Sequence, residues 1–312
     1  MFSIFLFFLL VGFTIHLPIR HFFKKINFVD SPDGVKKRHK MAVPISGGLS
    51  FGLSYYLFVS ICILIFYFDL NNFFNIQLPI NDYGPYFPFF NFLILVLLSL
   101  VLLVICLIDD LISLPVWVRL FAQISCSVLF IQLGGISLID LGSLLGNGEI
   151  ILQEYVAFIF TIFCIVGVTN AFNWIDGIDG LFSSQVLLAI IGMMILSGRI
   201  SIFYIAFLSA LSPYIVMNLG LLGDKFKVFI GDHGAMAIGF LIAGTFVLLS
   251  QASEGIHVEG VRPIDTLWCI GLVLLNAFAV IWKRLIKKTS INNQDLKNQI
   301  KVSGFNSDKE LL

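Results

Sequence analysis

The sequence predicts an all-α polytopic membrane protein of about nine transmembrane helices, and three observations predict it. Of its 312 residues, 58% are hydrophobic and 12% are charged, with a mean hydropathy of +0.98, a composition foreign to soluble domains. The apolar residues gather into runs of about 20, the length that crosses a bilayer. Alternating those runs across a membrane puts seventeen of the nineteen Lys and Arg residues on one side, as the positive-inside rule requires.

Spans are expected at roughly 2–19, 47–68, 89–108, 115–134, 155–174, 182–198, 202–219, 235–250 and 266–286. The first, "MFSIFLFFLLVGFTIHLPI", has no Lys or Arg ahead of it and is followed by cations from Arg20 onward. A signal peptide has the reverse arrangement, so this run reads as an uncleaved first helix with its N-terminus outside. The loop 20–40 carries Arg20, Lys24, Lys25, Lys36, Lys37, Arg38 and Lys40 and is assigned to the cytoplasmic side. The loops near 109–119, 170–181 and 220–234, and the tail after 282, then share that side. The loops near 69–88, 135–154, 199–201 and 251–265 face outward and hold only Arg199 and Arg262. The organisation reads as one membrane domain over 1–288 with a polar cytoplasmic tail over 289–312.

A formal net charge of zero gives no reason to expect a nucleic-acid partner. The cysteines (Cys62, Cys106, Cys126, Cys164 and Cys269) sit inside apolar runs and form no CxxC pair, which argues against a disulfide framework or a thiolate zinc site. The histidines (His16, His21, His39, His233 and His257) are scattered, so zinc is unsupported. No Walker A loop, GxSxG or HExxH pattern occurs.

Four polar clusters interrupt the apolar chain, and the topology puts all four on the cytoplasmic face. In "DSPDGVKKRHKMAVPISGG", Lys36, Lys37, Arg38 and His39 form a basic run suited either to topology and lipid headgroups or to binding phosphate. In "LIDDLISLPVWVRL", Asp109 and Asp110 are adjacent carboxylates at a span end. They repel each other, so they either end the helix or serve a cation or proton transfer, and a divalent ion offsets the repulsion. In "NAFNWIDGIDGL", a helical conformation aligns Asn170, Asn173 and Asp176 in one polar stripe and puts Asp176 and Asp179 on one face. Gly177 and Gly180 allow close approach of a ligand or backbone. In "KVFIGDHGAMAIG", Asp232 between glycines opens a helix, as an N-cap or as a metal ligand approached by phosphate. Carboxylates that favour an oxygen-loving ion suggest Mg²⁺ and phosphate chemistry.

"NAFNWIDGIDGL", "LIDDL" and "KVFIGDHG" together resemble the polyprenyl-phosphate N-acetylhexosamine-1-phosphate transferases, glycosyltransferase family 4. "KKRHKMAVPISGG" and "NLGLLGDKFKVFIGD" are most similar to the branch that acts on undecaprenyl phosphate and N-acetylglucosamine. The likeness runs from Asp30 to about Arg284. It implies a bacterial inner-membrane protein with a periplasmic N-terminus. The implied reaction is attack of undecaprenyl phosphate on the β-phosphate of a UDP-N-acetylhexosamine, with release of UMP and Mg²⁺ or Mn²⁺ as cofactor. Carried over residue by residue, the likeness makes Asp232 the metal ligand and gives Asp109 and Asp110 to the lipid nucleophile or the metal. It makes Asn170, Asn173, Asp176 and Asp179 position the nucleotide and its phosphates. Lys37, Arg38, His39 and Lys227 are the remaining expected substrate contacts.

The sequence departs from the pattern near its end. Relatives carry an H-x-H-H motif in the last cytoplasmic loop; here the comparable stretch is "DLKN", Asp295 to Asn298. Asn276 and Ala235 replace a usual Asp and Ser, and the chain stops at Leu312 where relatives continue through further spans. The sequence is therefore compatible with an active transferase of altered nucleotide grip, a degenerate paralogue that binds lipid or donor, or a truncated product. A membrane transporter is the competing class. It predicts acids near the bilayer midplane and inverted repeats.

Overall fold

The computed structural model describes residues 2–32, 41–68, 89–143, 148–198, 201–251 and 261–286. The basic run with Lys37, Arg38 and His39, the tail 289–312 and the stretch Asp295 to Asn298 lie outside the described residues.

The described chain is a bundle of helices: α1 (Phe2–Lys25), α2 (Gly47–Tyr67), α3 (Phe89–Ile112), α4 (Val116–Gly134), α5 (Glu154–Ile175), α6 (Leu181–Ser197), α7 (Ile202–Asn218), α8 (Gly231–Gln251), α9 (Pro263–Trp268) and α10 (Gly271–Ile286). Two short strands, β1 (Val29–Asp30) and β2 (Val43–Pro44), pair antiparallel. Among the described residues six helices, α1 to α5 and α8, are long and apolar enough to cross a membrane. Several such helices in one chain are the make-up of a multi-pass membrane protein. The expected spans 182–198 and 202–219 are present as α6 and α7. At 17 residues each they rise only about 25 Å, short of a bilayer's hydrocarbon core.

The last expected span, 266–286, differs most. It is divided into α9 and α10, joined by a tight turn in which Cys269 N–H bonds Thr266 O at 3.2 Å and Ile270 N–H bonds Leu267 O at 3.1 Å. Pro263 opens α9, and Asp265 accepts from the Arg262 backbone N–H at 3.0 Å. The new helix then begins at Gly271, a poor interior helix residue.

Helix α8 is the hub, packed against α3, α5 and α2. In its apolar span 83% of the residues are buried, against 17% in α1 at the periphery. Small residues let its neighbours come close, the usual way membrane helices gain contact when lipid is as apolar as leucine. A Cβ on Gly239 would stand 3.1 Å from Thr169 Cα and Phe172 Cβ of α5. Gly234 lies directly against Gly48 of α2, where a Cβ on either would collide with the other's backbone.

Cross-helix contacts bring the C-termini of α1, α3, α5, α7 and α10 and the N-termini of α2, α4, α6 and α8 to one end of the bundle. Contacts across helices define that end: Arg20 with Lys225, Asp110 with His233, Arg119 with Asp232, Lys227 with Asp179, and Arg284 with Trp174. At the opposite end Gln251 binds the 139–140 backbone, and Leu138 N–H bonds Thr161 Oγ1 at 2.8 Å. Charge follows the same division. Among the described residues Arg20, Lys24, Lys25, Arg119, Lys225, Lys227, Lys283 and Arg284 gather at the first end, and Arg262 is the cation of the second.

Candidate active site

Backbone pairing builds the floor of the site. Pro44 O accepts from Phe229 N–H at 3.0 Å, which ties β2 to the segment entering α8. The first turn of a helix leaves its N–H groups without intrahelical partners. In α2 the outside acceptors come from the α8 entry: Gly47 N–H bonds Phe229 O at 2.8 Å, Gly48 N–H bonds Ile230 O at 2.9 Å, and Leu49 N–H bonds His233 Nε2 at 3.0 Å. Two helix N-termini are thereby locked side by side. Gly231, at φ +75°, turns the chain into α8.

Three carboxylates meet over this floor. Asp109 and Asp110 come from the last turn of α3, and Asp232 from the first turn of α8. One oxygen of each lies within 4.8 Å of the others. Arg119, one turn into α4, reaches between them, with Nη1 at 2.7 Å from Asp232 Oδ2 and 3.2 Å from Asp109 Oδ2. Asp109 is 4% exposed and its Oδ1 is buried with no protein hydrogen-bond partner. Asp110 Oδ2 is held twice, by the His233 backbone N–H at 3.2 Å and by His233 Nδ1 at 2.7 Å. Asp232 is the open member, with a side chain 47% exposed.

Three carboxylates facing one guanidinium leave an excess of negative charge in a partly buried space. Such crowding is costly unless a cation neutralises it. The donors are hard oxygens in a compact group, which suits Mg²⁺ or Mn²⁺ and not a thiophilic metal. The orphaned Asp109 Oδ1 is the further sign that a partner belongs here.

The "NAFNWIDGIDGL" stretch lines one side. Helix α5 ends at Ile175, and Asp176 is its C-cap at φ −76°, ψ 74°. Asp176 and Asp179 therefore do not share a helical face; Gly177 and Gly180 break the helix, with Gly180 at φ +76°. The loop is bolted down by Asn218 of α7, whose Oδ1 accepts from Gly180 N–H at 2.8 Å while its Nδ2 donates to Val228 O at 3.0 Å. Asp179 pairs with Lys227, so those two predicted residues meet each other. Asn173 Oδ1 is buried and has no protein partner. Asn170 Nδ2 is spent on Gln123 Oε1 at 2.6 Å and Val166 O at 2.8 Å, which joins α5 to α4.

The Asp176 carboxyl is pushed up to about 7, by burial first and then by the negative charges of Asp232, Asp179, Asp110 and Asp30. It is thus electrostatically part of the same acidic field. Arg284 of α10 lies 5.3 Å from the Trp174 ring centroid, a cation–π contact that brings the last described helix to this end.

Asp109, Asp110, Asp176, Asp179, Asn170, Asn173, Lys227 and Asp232, all expected at one end, lie together there. Two further residues join them that the sequence did not single out: Arg119, read only as a topology cation, and His233, read only as one of five scattered histidines. A signal existed for each. Arg119 is a charge inside an apolar helix, where isolated ions are rare. His233 sits inside the acid–glycine motif itself.

The glycosyl transferase family 4 model matches residues 92–250. An undecaprenyl-phosphate alpha-N-acetylglucosaminyl 1-phosphate transferase from Yersinia pestis is 31% identical over 291 residues, 91% of this chain and 72% of the relative. The protein of the same description from Escherichia coli K12 is 33% identical over 292 residues, 91% and 72%. The one from Pasteurella multocida is 34% identical over 286 residues, 89% and 72%.

Proposed function

The chain belongs to glycosyl transferase family 4, as a phosphoglycosyltransferase, and we propose that it transfers N-acetylhexosamine 1-phosphate from a UDP-sugar to undecaprenyl phosphate. GlcNAc 1-phosphate is the group favoured by the names of its relatives. In this reaction a lipid phosphate oxygen forms a bond to the β-phosphorus. The bond from that phosphorus to the bridging oxygen breaks, and UMP leaves with the bridging oxygen. The product begins a lipid-linked cell-envelope polysaccharide.

The observation that carries this reading is the acid cluster of Asp109, Asp110 and Asp232 with Arg119 at one end of a membrane bundle. Two phosphate-bearing substrates, one soluble and one lipid, must meet at headgroup level. Asp109, Asp110 and Asp232 would hold Mg²⁺ or Mn²⁺, which supplies charge neutralisation at the phosphates. Arg119 keeps two of the three carboxylates in place. Asp176, Asp179 and Lys227 flank the nucleotide side, and Asn173 offers an unfilled acceptor there. Positioning supplies much of the rate in phosphoryl transfer, and rigid bolts such as Asn218 serve it.

The cation-rich end is the cytoplasmic end in this reading, with nine membrane crossings, an outside N-terminus and residence in the bacterial inner membrane. One membrane domain runs over 1–288, and 289–312 is a cytoplasmic tail. A carrier is less well supported: among the described residues every Asp and Glu lies within a turn of a helix end or in a connection, not near the middle of a span.

The test is transfer of label from a panel of UDP-N-acetylhexosamines into butanol-extractable lipid by the purified protein, with undecaprenyl phosphate, with and without Mg²⁺. Labelled lipid that depends on both additions supports the reading. Folded protein that transfers from no UDP-sugar overturns it. Nucleotide binding without transfer would instead identify a non-catalytic relative.

A further inference from the structure

We propose that His233 is a positioning residue that fixes Asp110 for its metal-facing role and caps helix α2 with the same ring. The inference rests on the reading of the acid cluster as a metal site.

The ring is fully buried and both nitrogens are engaged. Nε2 lies 3.0 Å from Leu49 N–H, a donor, so Nε2 is the acceptor. Nδ1 lies 2.7 Å from Asp110 Oδ2, an acceptor, so Nδ1 carries the proton. One tautomer satisfies both bonds. The backbone N–H of His233 approaches the same Oδ2 at 3.2 Å. One Asp110 oxygen is therefore saturated from two directions, which fixes the carboxylate plane and leaves Oδ1 for the cluster. Outer hydrogen bonds of this kind orient the carboxylates that hold metals.

The sequence makes room for this ring. A Cβ on Gly231 would lie 2.7 Å from His233 Nδ1 and Cε1, so a side chain at 231 would displace the imidazole. The ring also ties three helices together: α8 that bears it, α3 through Asp110, and α2 through Leu49. The α2 bond serves a first-turn N–H, a stability role; the Asp110 bond serves the cluster.

Two substitutions separate the roles. The amide nitrogen of Asn occupies roughly the place of Nδ1, so His233→Asn keeps the donor to Asp110 and loses the acceptor for Leu49. The amide oxygen of Gln reaches roughly the place of Nε2, so His233→Gln keeps the cap and loses the donor. The experiment measures Mn²⁺ affinity by electron paramagnetic resonance, and thermal stability without metal, for purified full-length wild type, His233→Asn, His233→Gln and His233→Ala. His233→Asn should bind Mn²⁺ within about threefold of wild type and melt lower. His233→Gln should melt near wild type and bind Mn²⁺ about tenfold more weakly, and His233→Ala should lose on both counts. Equal Mn²⁺ affinity in all four proteins, or His233→Asn as weak as His233→Ala, overturns the proposal. Wild type that binds no Mn²⁺ defeats the metal-site reading itself, a different result from wild type that binds and variants that do not differ. If the variants fail to fold, ¹⁵N spectra of histidine-labelled wild type decide. A protonated Nδ1 with a bare Nε2 at His233 supports the assignment, and the opposite tautomer or a doubly protonated ring contradicts it.

Discussion

The two ends of the same helices are built to different rules. At the far end polar groups are closed off. Gln251 Oε1 accepts from Ile139 N–H and Asp140 N–H at 3.0 and 3.1 Å, and its Nε2 donates to Asp140 O at 2.6 Å. Arg262 and Asp265 satisfy each other at 2.9 Å. Between α5, α8 and α9 that end holds an apolar cavity of about 140 Å³, lined by residues such as Leu138, Phe160, Val247 and Leu267. At the site end polar groups are left open. Among the described residues, the buried side-chain atoms without a protein partner are Arg20 Nε, Ser46 Oγ, Asp109 Oδ1, Asn173 Oδ1 and Tyr214 Oη, with His16 Nε2 one turn further in. All belong to the site half. Orphaned buried polar atoms cost stability. Their concentration on one side teaches that the site end trades stability for readiness to bind charged ligands, while the far end holds the bundle together.

The sharpest way to break this contrast is Asp232→Asn. Transfer should fall by about 10³-fold, the scale of losing a key electrostatic partner of a developing charge, while metal-free Tm stays level or rises because one repelling carboxylate is gone. Near-wild-type transfer would remove Asp232 from the metal. Next is Gly48→Ala. Its Cβ would collide with the Gly234 backbone and stand 2.6 Å from Ile230 O. We expect a loss of about 1–3 kcal/mol together with a loss of transfer, because the floor carries the acids. Thermal unfolding beside the transfer assay checks both.

Gln251→Ala probes the opposite end. It should cost about 1–3 kcal/mol yet leave transfer within about twofold, and a large activity loss would erase the contrast between the ends. A further effect, on stability alone, is a pH slope. The Asp176 pKa rises from 3.8 to about 7 on folding, so between those values the folded state binds more protons than the unfolded state. Metal-free stability should therefore fall as pH rises from about 4 to 7 and then level. A divalent cation should flatten the slope, and so should Asp176→Asn. Melting curves across that range, with and without Mg²⁺, measure it.

Much of the architecture was legible because length and hydrophobicity are local signals. The apolar runs gave α1 to α8 nearly in register. The break between α9 and α10 was not, since the run from Leu267 to Leu275 is apolar across it and the division depends on the Arg262–Asp265 cap and the start at Gly271. The acids of "LIDDL" and "IGDHG" were legible as unexpected charges at span ends. Their partners were not, because residues 119 and 232 meet only through the packing of α4 and α3 around α8. The helical stripe considered for Asn170, Asn173 and Asp176 gave way at Ile175, where the glycines outweigh the periodicity. The role of His233 depended on Leu49, far away in sequence, and no spacing announces that contact.

The most direct measurement follows the phosphorus. Purified protein with undecaprenyl phosphate and Mg²⁺ receives UDP-GlcNAc carrying ³²P at the β-position, or in a parallel reaction at the α-position. The proposed transfer predicts that β-label enters the lipid, that α-label leaves as UMP, and that Asp232→Asn does neither. Label from the α-position in the lipid, or transfer undiminished in Asp232→Asn, would contradict it.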